Sequence, residues 1–222
     1  HVTGVQTCAL PISGDKVVVF SPFYENYGAD AILSGAQPIY VPLNPPEFNF
    51  DANVLEDAMK QDGVKALILC NPSNPCGKVF TLEELQIIAD LAIKYDLYVI
   101  TDEVYEHILY KPNKHIYMAT LPGMRERTII CNSLSKTYSI TGWRLGYLAC
   151  NTAMYQVVLK LFQHSISCTS GFLQRGALTA MDCVEETEQM RQAYEKRKNL
   201  LVKGIHEIPG VELLTPAGAF YA

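Results

Sequence analysis

The chain has 222 residues, 49% of them hydrophobic, which is enough apolar material for one large core or two smaller ones. A formal net charge of −5 gives no attraction to nucleic acid or to an anionic membrane, and no apolar run reaches the ~20 residues that a spanning helix needs. Seven cysteines, odd in number and without CxxC spacing, read as free thiols in a reducing, cytoplasmic setting, and five scattered histidines without an HExxH pattern point to no metal.

Residues 1–13 (HVTGVQTCALPIS) have no basic leader and too short an apolar stretch for a signal peptide. The chain changes character at Gly14, so this piece reads as a non-native or disordered segment. Residues 17–20 (VVVF) then form a short buried strand, ended at Pro22, which cannot donate to a ladder. The aromatics Phe23, Tyr24 and Tyr27 fall in the loop or first helical turn beyond it. A second strand covers 37–41. Residues 51–60 carry Val54, Leu55, Ala58 and Met59 on one face, the stripe of a surface helix.

Residues 65–70 (KALILC) are a buried strand running into Asn71-Pro72-Ser73-Asn74-Pro75-Cys76-Gly77, a loop stiffened by two prolines. Thr81 and Glu84 are spaced as a capping box opening a helix to about Tyr95. Further strands cover 97–101, 128–131 and 145–149. From Asn151 the pattern is mostly helical, with one long charged helix over 185–206 ended by Pro209-Gly210. Residues 211–222 hold one strand, a turn at 215–218, and then Ala219-Phe220-Tyr221.

Strands without polar alternation, separated by helices, predict an α/β fold with a mostly parallel sheet covered on both faces. Ligands of such sheets bind beyond the carboxyl ends of the strands. Tyr24, Asn74, Asp102, Tyr105, Ser133 and Lys136 all fall just past predicted strand ends. Lys136 stands out within Ser133-Leu134-Ser135-Lys136, followed by Gly142-Trp143-Arg144-Leu145-Gly146. An amine there can form a Schiff base with a carbonyl cofactor, while Ser133, Ser135 and Arg144 can hold a phosphate. Asp102 could cap a turn; sunk in an apolar cleft, it needs a cationic partner.

Three motifs together resemble the class I/II, fold-type I pyridoxal-phosphate aminotransferases: the lysine stretch, Asp102-x-x-Tyr105, and Asn71-Pro72-x-Asn74-Pro75. The resemblance runs from Gly14 to Ala222, with Cys76 where the family usually has threonine. It implies pyridoxal 5'-phosphate as cofactor and amino transfer from an L-amino acid to a 2-oxo acid through a Lys136 Schiff base. Asp102 would face the pyridinium nitrogen, Asn74 and Tyr105 the ring oxygen, and Tyr24 the ring face. Ser133, Ser135 and Arg144 would hold the phosphate, and Asn74 would also meet the substrate carboxylate.

The resemblance further implies a homodimer and a large cofactor-binding domain over 14–184, followed by an interdomain helix over 185–207. Residues 208–222 would begin a smaller α+β domain. The family's upstream phosphate-binding helix start and downstream carboxylate-binding arginine are expected to lie outside this sequence. A carbon–sulfur β-lyase, or a sensor domain of a transcription regulator on the same scaffold, stays open, as does the amino donor: aspartate, aromatic or methionine-type.

Overall fold

The computed structural model describes residues 14–222; the expectation for residues 1–13 lies outside them. Six strands form one sheet: β1 (Lys16–Ser21), β2 (Gln37–Pro42), β3 (Val64–Cys70), β4 (Tyr98–Asp102), β5 (Thr128–Ser133) and β6 (Gly146–Ala149). Their order is β2-β1-β3-β4-β5-β6. The first five run parallel and β6 is antiparallel to β5.

Runs such as VVVF and ALILC lack polar alternation because each sheet face has its own cover. Val18, Leu67, Leu69 and Val99 pack against helices α2 (Ala52–Met59) and α3 (Leu82–Lys94). Val17, Val19, Ala66, Ile68 and Ile129 face the opposite way, against α1 (Asn26–Leu33) and α5 (Thr152–Ser165). A short α4 (Leu134–Thr137) follows β5; α6 (Gly171–Met181) and α7 (Val184–His206) complete the helical half.

The helix starts follow their capping residues. Asp51 accepts the backbone N–H groups of Asn53 and Val54 at the head of α2. At the head of α3, Thr81 Oγ1 accepts from Glu84 N at 3.2 Å, and Glu84 Oε2 accepts from Thr81 N at 2.9 Å, the reciprocal pair its spacing predicts.

One feature extends the sequence reading and one differs from it. The aromatic loop after β1 continues as the eight-residue helix α1, which buries Tyr27 and Ala31, four apart, on its sheet-facing side. The strand expected within 211–222 does not form; only an isolated bridge joins Gly218 to Leu109. Among the described residues no strand lies beside 211–215, and a lone strand leaves its N–H and C=O groups without a ladder.

The end of the sequence is nevertheless docked. Tyr110 N donates to Ala217 O, Ala219 N donates to Ile108 O, and the Tyr110 hydroxyl donates to Ala219 O at 2.6 Å. Gly77 permits this approach: its φ is +68°, its carbonyl accepts from Ala217 N and Gly218 N, and a Cβ there would lie 2.8 Å from Pro216 Cβ. The Asn/Pro loop and residues 216–221 therefore interlock beside the carboxyl ends of the strands.

Candidate active site

The register aligns Cys70, Asp102 and Cys131 across β3, β4 and β5, so the loops leaving these strands start from one edge. That edge carries a cleft of about 210 Å³. Tyr24 enters it after β1, Asn74 after β3, Asp102 and Tyr105 from the end of β4, Ser133 from the last position of β5, and Ser135, Lys136 and Arg144 after it. All eight residues picked from the sequence thus line one cavity.

Asp102 lies at the sheet end of the cleft. Its Oδ2 accepts from the Tyr27 hydroxyl at 2.7 Å and its Oδ1 from Val104 N at 3.2 Å. Burial raises its carboxyl above the ordinary value, while the Tyr27 and Val104 hydrogen bonds and the Lys136 charge pull it back. Tyr27 is itself pushed well above a normal phenol, by burial first and then by the Asp102 charge, so it stays a donor. Sequence reasoning missed Tyr27. A tyrosine in the first turn of a helix looks the same whether it packs a core or braces an acid.

Tyr105 is buried, and its hydroxyl lies 2.9 Å from that of Tyr221, which also lines the cleft. Burial, then the bond to Tyr221, raises its phenol. Its ring meets Phe220 edge-on at 5.2 Å, and Lys136 Nζ lies 5.6 Å from the centroid of that same Phe220 ring. The segment interlocked with Gly77 therefore supplies one wall around the amine. Tyr24 stands edge-to-face with Tyr27 at 5.7 Å.

Ser133 caps α4, its Oγ accepting from Ser135 N at 3.1 Å. The same Oγ lies 2.8 Å from Ser135 Oγ and 2.9 Å from the Leu145 carbonyl, which holds the end of β5 against the chain leading into β6. A Ser133 proton given to Ser135 leaves the Ser135 hydroxyl proton available to the cleft. Arg144 has a positive φ of 54°, and its Nη1 donates to Thr141 O at 2.9 Å. Four of its five N–H groups remain for another acceptor.

The loop around Asn74 is braced from behind. Asn71 Oδ1 accepts from Phe80 N at 3.1 Å, and the buried Lys78 pairs with Glu84 at 2.8 Å and donates to Asn49 at 2.8 Å. Asn74 N points to Cys70 Sγ at 3.5 Å.

Beneath the cleft, Asn132 Nδ2 donates to Glu106 Oε1 at 2.7 Å while its Oδ1 accepts from Ser133 N at 2.7 Å. His115 Nε2 is 3.5 Å from Glu103 Oε2, and one ligand atom each of Glu103, Glu106 and His115 lie within 4.8 Å of one another. The spacing of histidines in the sequence does not announce this group, because it forms between the β4 exit and a loop ten residues later. Six cysteines of the described residues are free thiols.

The sequence model of the family described as aminotransferase class I and II matches residues 3–222. An aspartate aminotransferase of Musicola paradisiaca is 38% identical over 100% of this chain and 56% of its own length. Aromatic-amino-acid aminotransferase 2 of Thermococcus litoralis is 37% identical over 93% of this chain and 54% of its own. Among solved structures, the aromatic aminotransferase from Pyrococcus horikoshii superposes with a TM-score of 0.92 at 35% identity, over 97% of this chain and 58% of that one. The chain spans about half the length of the curated relatives it matches.

Proposed function

The chain belongs to the class I and II aminotransferases, and on that premise we propose that it carries the cofactor site of a pyridoxal-phosphate-dependent enzyme moving an amino group from an L-amino acid to a 2-oxo acid. The observation that carries this reading is the meeting of a buried acid, an amine and a hydroxyl–guanidinium group in one cleft at the strand ends. This donor set suits the cofactor: Asp102 for a basic ring nitrogen, Lys136 for an aldehyde, and Ser133, Ser135 and Arg144 for a phosphate.

Bound pyridoxal phosphate supplies an electron sink for the pair left on the substrate carbon when its proton departs. The residues do the rest. Lys136 would hold the aldehyde through Nζ, and its amine, when free, would take and return the substrate proton as general base and acid. The aromatic wall of Phe220 and Tyr221 keeps water from that amine. Asp102 keeps negative charge at the ring nitrogen, Asn74 and Tyr105 offer donors to the ring oxygen, and Tyr24 covers the ring face. Asn74 also meets the substrate carboxylate.

Residues 14–184 serve as the cofactor-binding domain, 185–207 as an interdomain helix, and 208–222 as the start of a smaller domain. The full-length enzyme acts as a cytoplasmic homodimer; exposed Phe172, Leu178 and Val184 supply apolar surface for such a contact. Among the described residues no helix is long and apolar enough to cross a membrane.

Relatives named for aspartate and aromatic amino acids set the first donors to try. Full-length protein given L-aspartate or L-phenylalanine with 2-oxoglutarate should form L-glutamate and the matching oxo acid. Pyruvate and ammonia released from a cysteine conjugate, with no amino transfer, would replace this reading with a β-lyase.

A further inference from the structure

We propose that Tyr27 is a positioning residue that holds Asp102 as an ion-pair acceptor, and so gives the cleft its preference for a ligand with a basic ring nitrogen. This rests on the cofactor reading of the site. It adds a residue outside the three motifs and states what that residue does.

The argument starts from what surrounds Asp102. Its neighbours in register are Cys70 on β3 and Cys131 on β5, both buried. Burial pushes both thiols above their ordinary values, so both are neutral and neither offers a countercharge. Next along its own strand, Glu103 is another buried carboxylate, and its charge raises Asp102 further. Lys136 is the cation acting on Asp102 from the cleft, and its effect is smaller than either hydrogen bond.

The acid therefore depends on two donors, Val104 N at 3.2 Å and the Tyr27 hydroxyl at 2.7 Å, one on each oxygen. Tyr27 is the shorter bond and the stronger influence on the carboxyl. Its position is fixed by the fold: it is 4% exposed, lies in the core between α1 and the sheet, and meets Tyr24 edge-on.

Two donors on separate oxygens make Asp102 an acceptor towards anything else that enters. A protonated ring nitrogen satisfies it; a carbon at the same place leaves a buried carboxylate without a partner. Without the Tyr27 hydroxyl, burial is opposed less, the acid takes up a proton more readily, and the advantage of a basic ring nitrogen shrinks.

The test is a binding comparison on the cofactor-free full-length protein, read by fluorescence titration. Its two ligands are pyridoxal phosphate and the analogue with carbon in place of the ring nitrogen. Wild type should bind pyridoxal phosphate the more tightly. Tyr27→Phe keeps the ring and its packing, and should weaken pyridoxal phosphate about 10- to 100-fold while moving the analogue less than about twofold.

Tyr27→His keeps an N–H donor and should retain much of the preference even if the phenylalanine variant folds poorly. Equal weakening of both ligands in Tyr27→Phe would mean packing alone and overturn the proposal, as would no change in either. A wild-type protein that binds both ligands equally would instead remove the role given to Asp102, and the proposal with it.

Discussion

Val18, Ala66, Leu67 and Val99, on the strands of the sheet, have no exposed surface, whereas α7, 23 residues long, buries no residue at all. The sheet half gains its stability from its own sequence: its central strands are covered on both faces, and α2, α3 and α5 begin at side-chain caps. Helix α7 is held differently. Arg191 ties it down by donating to the Leu109 carbonyl at 3.2 Å while pairing with Glu188 and Glu195. On α6, Phe172 is 83% exposed. The cleft takes its chemistry from the sheet half, and the helical half leaves large apolar side chains exposed. A helix without a buried stripe suits a bridge between bodies better than a layer of one core.

Paired substitutions break this comparison most sharply. Leu67→Ala in the central strand should destabilise the protein by about 2–5 kcal/mol in denaturant unfolding. Phe172→Ala should stay within about 0.5 kcal/mol in the isolated chain. A larger cost for Phe172→Ala in the full-length protein than in this chain would show that its face is covered there.

Gly77→Ala comes next. It places a side chain at φ +68° and 2.8 Å from both Pro216 Cβ and the Tyr221 carbonyl oxygen. The expected cost is about 1–3 kcal/mol, with weakened cofactor binding because the Phe220–Tyr221 wall shifts. Thr81→Ala, removing half of a capping box far from the cleft, should cost about 1 kcal/mol and leave cofactor binding unchanged.

Arg191→Ala should cost under about 1 kcal/mol, since its carboxylate partners are partly exposed. Its pH dependence is informative. Arg191 holds the Glu188 carboxyl down to about 2, so that contribution is present above the ordinary carboxylate range and fades as pH falls through about 2. The stability gap between wild type and Arg191→Ala should therefore narrow from pH 5 to pH 2.

Local signals made the sheet half legible. Doubly covered parallel strands read as unbroken apolar runs, Thr81 and Glu84 announced their cap, and residues just past strand ends converged because parallel strands share a carboxyl edge. The parts that sequence reasoning missed are contacts between distant stretches. Tyr27 reaches Asp102 across 75 positions, and Tyr221 reaches Tyr105 across 116. Nothing local to either tyrosine encodes its partner. The strand expected in 211–222 failed for the opposite reason: its local pattern was adequate, but no neighbouring strand among the described residues supplied a ladder.

The central claim, that Lys136 is the attachment point of the cofactor, has a direct test. Full-length protein loaded with pyridoxal phosphate, reduced with borohydride and digested, should yield one peptide carrying the cofactor's mass on Lys136. The Lys136→Ala protein should yield none. The label on another lysine, or retained in the Lys136→Ala protein, would contradict the account.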